Sequence, residues 1–86
     1  MAGIARARNS LANDQLDQAG EAINAVFAVV PDLADARLVF AELLLRRAKI
    51  DQARQVLERL KADSQLPAWI RDVAKQIFEE KILKQP

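Results

Sequence analysis

The sequence predicts an all-α domain of about five antiparallel helices, arranged as helix–turn–helix repeats in a short α-solenoid. Alanine and leucine dominate the 86 residues, whereas glycine occurs twice and neither tyrosine nor threonine is present. Such a composition favours helices over sheets. Apolar residues also recur at helical spacing, in segments separated by short polar or proline-containing breaks. A chain of this length is enough for one small domain, so residues 1–86 are expected to form a single unit.

The central helix is predicted over residues 34–48, ADARLVFAELLLRRA. Between Leu38 and Leu45 only Glu42 interrupts the apolar side chains. A helix that is apolar nearly all round is covered on several sides, so the other helices are expected to pack around this one. One line of polar residues along this helix and the turn after it is spaced so that its members share one face. They are Asp35, Glu42, Arg46 and Lys49.

Two helices are predicted around the first turn and the first proline. The first covers residues 2–12, and the second runs from about Gln15 to Val29. Asp14 is expected to cap the second helix, because a short acidic side chain can accept a hydrogen bond from the first free N–H groups. Pro31 ends that helix, and Asp32 is expected to cap the central helix.

Two further helices follow the central one after a tight turn at Ala48 and Lys49. The fourth helix starts near Ile50 and is broken at Asp63 and Ser64. Pro67 suits the first turn of the fifth helix, where a missing N–H costs nothing. Lys81 and Lys84 lie near the negative end of that helix. All the links are short, so successive helices are expected to be antiparallel neighbours.

The sequence matches itself when it is shifted along its own length by about 34 residues, which we refer to as the repeat period. The strongest match places Leu16-Asp17-Gln18-Ala19 on Ile50-Asp51-Gln52-Ala53. Further matches place Ala7 on Ala41, Leu11 on Leu45, Ile23 on Leu57, and Val26 on Leu60. This period predicts a first unit over 1–32, a second over 33–66 and a capping helix over 67–84. A plain five-helix bundle without repeat ancestry is the alternative, and it would lack a constant rotation between helix pairs.

The repeated segments carry the residue pattern of a known repeat. Ala19, Ile23 and Pro31 have the spacing expected of the second helix in a tetratricopeptide unit, and the period of the match is also that of such units. The second unit fits through Phe40, Ala41, Leu44, Ala53 and Leu57. The chain therefore resembles tetratricopeptide repeats over residues 3–66. It departs from the pattern at Gly3, Arg6, Ser10, Arg37 and Gln65, so the first unit is expected to be degenerate.

The residue types leave little material for catalysis. The chain has no histidine and no cysteine, and Ser10 and Ser64 are its only hydroxyl nucleophiles. It has no glycine-rich phosphate loop. Glu79 and Glu80 are expected to be solvated charges on a helix. The sequence therefore predicts a protein that is not an enzyme and that uses no cofactor and no metal.

A basic cluster could suggest nucleic-acid binding, but the charge pattern argues against it. The net charge is +1, and stacking aromatic residues are missing nearby. The cluster consists of Arg46, Arg47, Lys49 and Arg54. Helical spacing predicts that Arg46 pairs with Glu42 and Arg54 with Glu58.

The resemblance implies a function in binding. In tetratricopeptide-like proteins the first helix of each pair lines a groove that holds a peptide or a partner helix, so the chain is expected to act as a protein–protein interaction scaffold or adaptor. Carried onto this sequence, the groove residues are Leu38, Glu42, Leu45 and Arg46, with Ile4, Arg8 and Leu11 on one side and Asp72 and Gln76 on the other. Leu38 and Leu45 are equally well interpreted as core. Trp69 is expected to fold back over Leu60 and Leu66.

Two other functions remain open at this stage. The N-terminal end carries Ala2, Ile4 and Leu11 with no polar cap before it, which would suit self-association or stacking against further repeats. The chain would also suit a fragment of a larger tetratricopeptide protein. The run from Ser64 to Arg71 has a slight similarity to the helical domains that precede outer-membrane barrels of the surface-lipoprotein assembly type, so that protein would be an envelope assembly factor.

The sequence shows no route into a membrane. No run of 18 or more apolar residues occurs, and two arginines interrupt the segment in which a signal peptide would be apolar. A cytoplasmic location is therefore favoured, although a fragment would leave the compartment open.

Overall fold

The computed structural model describes residues 2–83, which fold into five α-helices followed by a π-helical segment. The helices are α1 (Ala2–Ala12), α2 (Leu16–Val29), α3 (Ala34–Arg46), α4 (Ile50–Ala62) and α5 (Ala68–Ile77), and the π segment is Phe78–Leu83. The predicted all-α repeat fold is confirmed. The expectations for the side chain of Ala2 and for Lys84 lie outside the residues that the structure describes. None of the helices within residues 2–83 has the length and apolarity that a bilayer crossing requires.

Helix α3 lies in the middle of the stack, as predicted. It contacts α1, α2, α4 and α5. Six of its seven buried side chains, all except Leu44, divide into two sets at helical spacing. Ala36, Val39 and Leu43 pack into a first core cluster with α1 and α2. Ala34, Leu38 and Ala41 pack into a second core cluster with α4, α5 and the π segment. The central helix is apolar nearly all round because it contributes to two separate cores.

The helices pack through small and large residues at matching positions. Ala19 and Ala53 are each the fourth residue of a second helix, and both are fully buried. One turn further, Ile23 and Leu57 are large side chains that are almost fully buried. Small side chains allow the helix backbones to approach, and the large ones fill the space beside them. The two matched positions therefore have the same role in each unit.

The period of the repeat is also present in the backbone of the two turns within the helix pairs. Asp14 and Ala48 have φ angles of 60° and 61°, the left-handed conformation that commonly ends a helix. Each turn has the same two hydrogen bonds, which join N–H and C=O groups five and three residues apart. They run from Asp14 to Leu11 (3.1 Å), Gln15 to Ser10 (2.8 Å), Ala48 to Leu45 (3.0 Å) and Lys49 to Leu44 (2.9 Å). Both turns are therefore Schellman motifs.

The predicted helix caps are wrong. Asp14 ends α1 instead of capping α2, since its left-handed backbone closes the Schellman turn. The N-cap residue of α2 is Gln15 and that of α3 is Leu33, one residue after Asp32, and neither makes a side-chain cap. Pro67 is the N-cap of α5, one position before the first turn in which it was predicted.

Helix α5 occupies the position that the first helix of a third repeat unit would have. Its N-cap, Pro67, lies one repeat period beyond Leu33, the N-cap of α3. Like α3 against its preceding unit, α5 contacts the two helices before it, α3 and α4. The π segment then returns to α4, where Lys61 Nζ lies 3.7 Å from the centre of the Phe78 ring. This cation–π contact and the buried side chain of Ile82 close the second core cluster.

Candidate functional site

A groove of about 390 Å³ opens at the helix ends where both Schellman turns lie. It lies between the last turn of α1, the second half of α3, the start of α4 and the end of α5. Its lining consists of Leu11, Glu42, Leu45, Arg46, Ile50, Ile77 and Lys81. We refer to this surface as the α1/α3/α5 groove.

The apolar part of the groove is positioned by the repeat. Leu11 and Leu45 are equivalent in the two units, and the carbonyl group of each accepts a hydrogen bond in its own Schellman turn. The turn therefore fixes both leucines at the same point of their helices. Ile50 is the first residue of α4 and follows the second turn directly. Leu45, Ile50 and Ile77 are half-buried, so each contributes to the core and still leaves apolar surface open to a ligand.

The charged part of the groove comes from α3 and the π segment. Arg46 Nη1 lies 3.4 Å from Asp14 Oδ1, so this arginine joins the end of α3 to the turn of the preceding unit. Lys81 also has an interaction within the chain. Glu42 is half-buried on α3. No hydrogen bond or ion pair links its carboxylate to another side chain within residues 2–83.

The predicted ion pairs along the helices are wrong. Arg46 pairs with Asp14 rather than Glu42, and Arg54 Nη1 lies 3.6 Å from Asp51 Oδ1 rather than near Glu58. Arg47 Nη2 lies 2.8 Å from Asp17 Oδ1. A long arginine side chain can reach an acceptor on a neighbouring element, and spacing along one helix cannot show which acceptor is closer. Three of the four cations in the basic cluster are thus paired with aspartates.

The structure brings together four of the nine residues predicted to line the groove. Leu11, Glu42, Leu45 and Arg46 line the groove. Arg8, Asp72 and Gln76 are exposed but lie outside its lining, and Ile4 packs against the first core cluster. Leu38 is 2% exposed and belongs to the second core cluster, so it offers no surface to a ligand. The alternative interpretation of Leu38 as a core residue is therefore the correct one.

Three lining residues have no counterpart in the prediction: Ile50, Ile77 and Lys81. Ile77 and Lys81 each lie one position later than the period assigns to the equivalents of Glu42 and Arg46. The π segment begins at Phe78, and a π turn holds more residues than the α turn that it replaces. A constant shift therefore cannot reproduce the position of Lys81, which lies within the π segment, whereas Ile77 precedes that segment and its offset has no explanation in the structure.

Trp69 lies at the start of α5, whereas the groove lies at the end of that helix. The prediction that Trp69 is a core residue is wrong. Its side chain is 52% exposed, whereas the next residue, Ile70, is buried in the second core cluster. Successive side chains of a helix point about 100° apart. Since Ile70 faces the core at the start of α5, Trp69 is directed away from it.

The chemical groups of the groove are simple to describe. Its lining has no hydroxyl, thiol or imidazole, and its charged groups are one carboxylate, one guanidinium and one ammonium. Among the residues that the structure describes, no acidic side chains gather into a cluster that could hold a metal ion. The arrangement offers apolar contact and charge to a ligand.

One comparison with known proteins gives a match. The family model described as tetratricopeptide repeat matches residues 10–79, which run from the last turn of α1 into the π segment. Searches of the curated proteins and of the solved structures return no match. The matched range includes every groove residue except Lys81.

Proposed function

Because the chain belongs to the tetratricopeptide repeat family, we propose that it is a protein–protein interaction module that holds a peptide or a partner helix in the α1/α3/α5 groove. Tetratricopeptide repeats generally mediate protein–protein interaction and are generally non-catalytic. We therefore also propose that the chain acts as a scaffold or adaptor and not as an enzyme.

The observation that carries the proposal is the half-buried apolar lining of the groove. Leu45, Ile50 and Ile77 combine core packing with accessible surface, and charged groups surround them. A concave apolar site with a few polar groups is typical of ligand binding, and such sites commonly have volumes of about 300–1,000 Å³. The groove, at about 390 Å³, has room for a few side chains of a peptide.

The experiment begins with selection from a random peptide library displayed on phage. A selected peptide is synthesised, and its dissociation constant is measured by isothermal titration calorimetry. Glu42→Lys combined with Arg46→Glu reverses two lining charges without changing the net charge. We expect this double variant to weaken binding about tenfold or more, since misplaced charges at an interface cost several kcal/mol.

The matched control reverses two charges on the exposed side of α4, outside the groove. Glu58→Lys combined with Arg59→Glu also keeps the net charge, and we expect it to leave the dissociation constant within about twofold. Circular dichroism of both variants checks that they are folded. Equal affinity of the two double variants for the peptide would contradict the proposed site. Amide shifts in an NMR titration would then identify the surface that binds.

We do not extend the proposal to self-association through the N-terminal end. Leu11 is buried, and Ile4 packs against the first core cluster. The exposed side of α1 carries the polar residues Arg6, Arg8 and Asn9. Membership of a larger envelope assembly factor and a cytoplasmic location stay predictions of the sequence.

A further inference from the structure

The charges of the α1/α3/α5 groove are unequally satisfied. Arg46 is paired with Asp14, and Lys81 has its own interaction within the chain. The carboxylate of Glu42 has no hydrogen bond or ion pair to a side chain anywhere in residues 2–83. The groove therefore offers an incoming peptide one acceptor that no side chain of the described residues occupies.

The surroundings of Glu42 make this acceptor selective. The side chain is half-buried, and the apolar Leu45, Ile50 and Ile77 line the same groove. A bound peptide would remove water from the carboxylate. Loss of that water is unfavourable unless a cation or a hydrogen-bond donor replaces it. A peptide with an acidic residue at this position would add repulsion to the lost hydration.

We propose that the groove selects peptides in which a lysine or arginine lies within one helical turn of a large apolar residue. The apolar side chain contacts Leu45 and Ile77, and the cation pairs with Glu42. This inference rests on the proposed function. It predicts that an acidic peptide binds less well, because such a peptide would be repelled by Glu42 and would compete with Asp14 for Arg46.

The test uses one peptide selected by the protein and three versions of it. The residue one turn from its apolar anchor is made lysine, glutamine or glutamate. We expect affinity for the unmodified protein to fall in that order, with about a tenfold range between lysine and glutamate. The range should narrow as salt is raised, because added ions screen partly exposed charges.

Two variants then assign the preference to one side chain. Glu42→Gln keeps the shape of the side chain and removes its charge. We expect the range between the lysine and glutamate peptides to fall to about twofold or less in this variant. Glu58→Gln makes the same chemical change on the exposed side of α4 and should leave the range unchanged. Glu42→Lys should reverse the order, so that the glutamate peptide binds best.

The outcomes separate this inference from the proposed function. If the lysine and glutamate peptides bind the unmodified protein equally, or if the preference survives in Glu42→Gln, the inference is wrong while the proposed function stands. If the glutamate peptide binds best, the cations of the groove dominate and the inference is also wrong. If the library yields no peptide that binds the folded protein, both proposals fail.

Discussion

The hairpins α1–α2 and α3–α4 share a backbone and differ in most of their side chains. Both turn through a residue with φ near 60°, and the same pair of hydrogen bonds recurs at equivalent positions. The first turn has the sequence Asn-Asp-Gln, and the second has Arg-Ala-Lys. A few buried positions, such as Ala19 and Ala53, keep their residue type. The comparison teaches that the repeat is maintained by backbone geometry and core packing, while exposed positions are free to diverge.

The two first helices differ because one lies at an end and the other in the middle. Helix α1 contacts α2 and α3, and its far side is polar and exposed. Helix α3 is covered on two sides and contributes to both core clusters. Identical positions in the period therefore have different surroundings. This explains why α1 matches the family pattern poorly, since only a covered helix needs apolar residues all round.

The largest expected effects test whether the two core clusters are equivalent. Ile23 in the first cluster and Leu57 in the second occupy the same position of the repeat and are almost fully buried. Changing either to alanine removes buried methyl groups and leaves a cavity, so we expect each to lower the free energy of unfolding by about 3 kcal/mol. Urea unfolding followed by circular dichroism measures both values.

The control for the core pair is another matched pair on the surface. Ala28 and Ala62 also occupy one position of the repeat, and both are exposed. Serine at either position should change stability by no more than about 0.5 kcal/mol. A loss of less than about 1 kcal/mol for only one of the two core variants would show that the clusters are not equivalent.

The next effect sharpens the contrast in helix packing. A Cβ atom added at Gly3 would lie 2.6 Å from Val26 Cγ2, so α1 and α2 approach too closely for alanine. At Gly20 the nearest atom would be Leu43 Cδ2 at 3.7 Å, which is ordinary contact. We expect Gly3→Ala to destabilise by about 1–2 kcal/mol through overpacking. Gly20→Ala should stabilise by about 0.5–1 kcal/mol, since alanine is the better helix former.

Thermal unfolding of the two glycine variants separates these terms. Both changes raise helix propensity, so opposite shifts in the melting temperature would isolate the close approach of α1 to α2. Stabilisation by Gly3→Ala would mean that α1 moves away from α2 at little cost. The first unit would then be less tightly packed than the second.

Most of the fold could be predicted because it depends on periodic patterns. The apolar run of α3, the breaks at Pro31 and Asp63, and the period of the repeat are local or recurring features. The caps were predicted wrongly, because the left-handed conformation of Asp14 and Ala48 is set by the closing of the Schellman turn and no glycine marks it. Nor does any residue pattern announce the π segment that follows α5.

The candidate site could be predicted only where the period holds. The structure places Leu11 and Leu45, which are equivalent in the two units, in the lining of the groove. Leu38 was misplaced, since both interpretations of an apolar residue on α3 fit the spacing, and only packing against α4 and α5 decides between them. The partner of Arg46 depends on the distance between two elements, which the sequence does not contain.

A smaller effect tests the repeated turns. Ala48 adopts a left-handed conformation that is unfavourable for a residue with a Cβ atom. Ala48→Gly should therefore stabilise the protein by about 0.5–1 kcal/mol. Asp14→Gly should gain less, because aspartate tolerates this conformation better and its pair with Arg46 would be lost. Urea unfolding measures both, and a loss of stability in Ala48→Gly would contradict the equivalence of the turns.

The smallest effect concerns the two aspartates at the starts of α2 and α4. Asp17 and Asp51 are equivalent in the repeat, yet Asp17 pairs with Arg47 of the following unit at 2.8 Å, whereas Asp51 pairs with Arg54 of its own helix at 3.6 Å. The position of Arg47 recurs at Lys81, which lies in the π segment rather than in a third turn.

Double-mutant cycles, in which the members of each pair are changed to alanine singly and together, measure the coupling energy of the two pairs. Both pairs are on the surface, so we expect a coupling of about 0.5 kcal/mol for Asp17 with Arg47 and a smaller one, about 0.2 kcal/mol, for Asp51 with Arg54. The first pair joins two units and also resists their separation, whereas the second lies within one helix. Both couplings should decrease in high salt. A coupling indistinguishable from zero between Asp17 and Arg47 would mean that this pair contributes nothing to holding the first unit against the second.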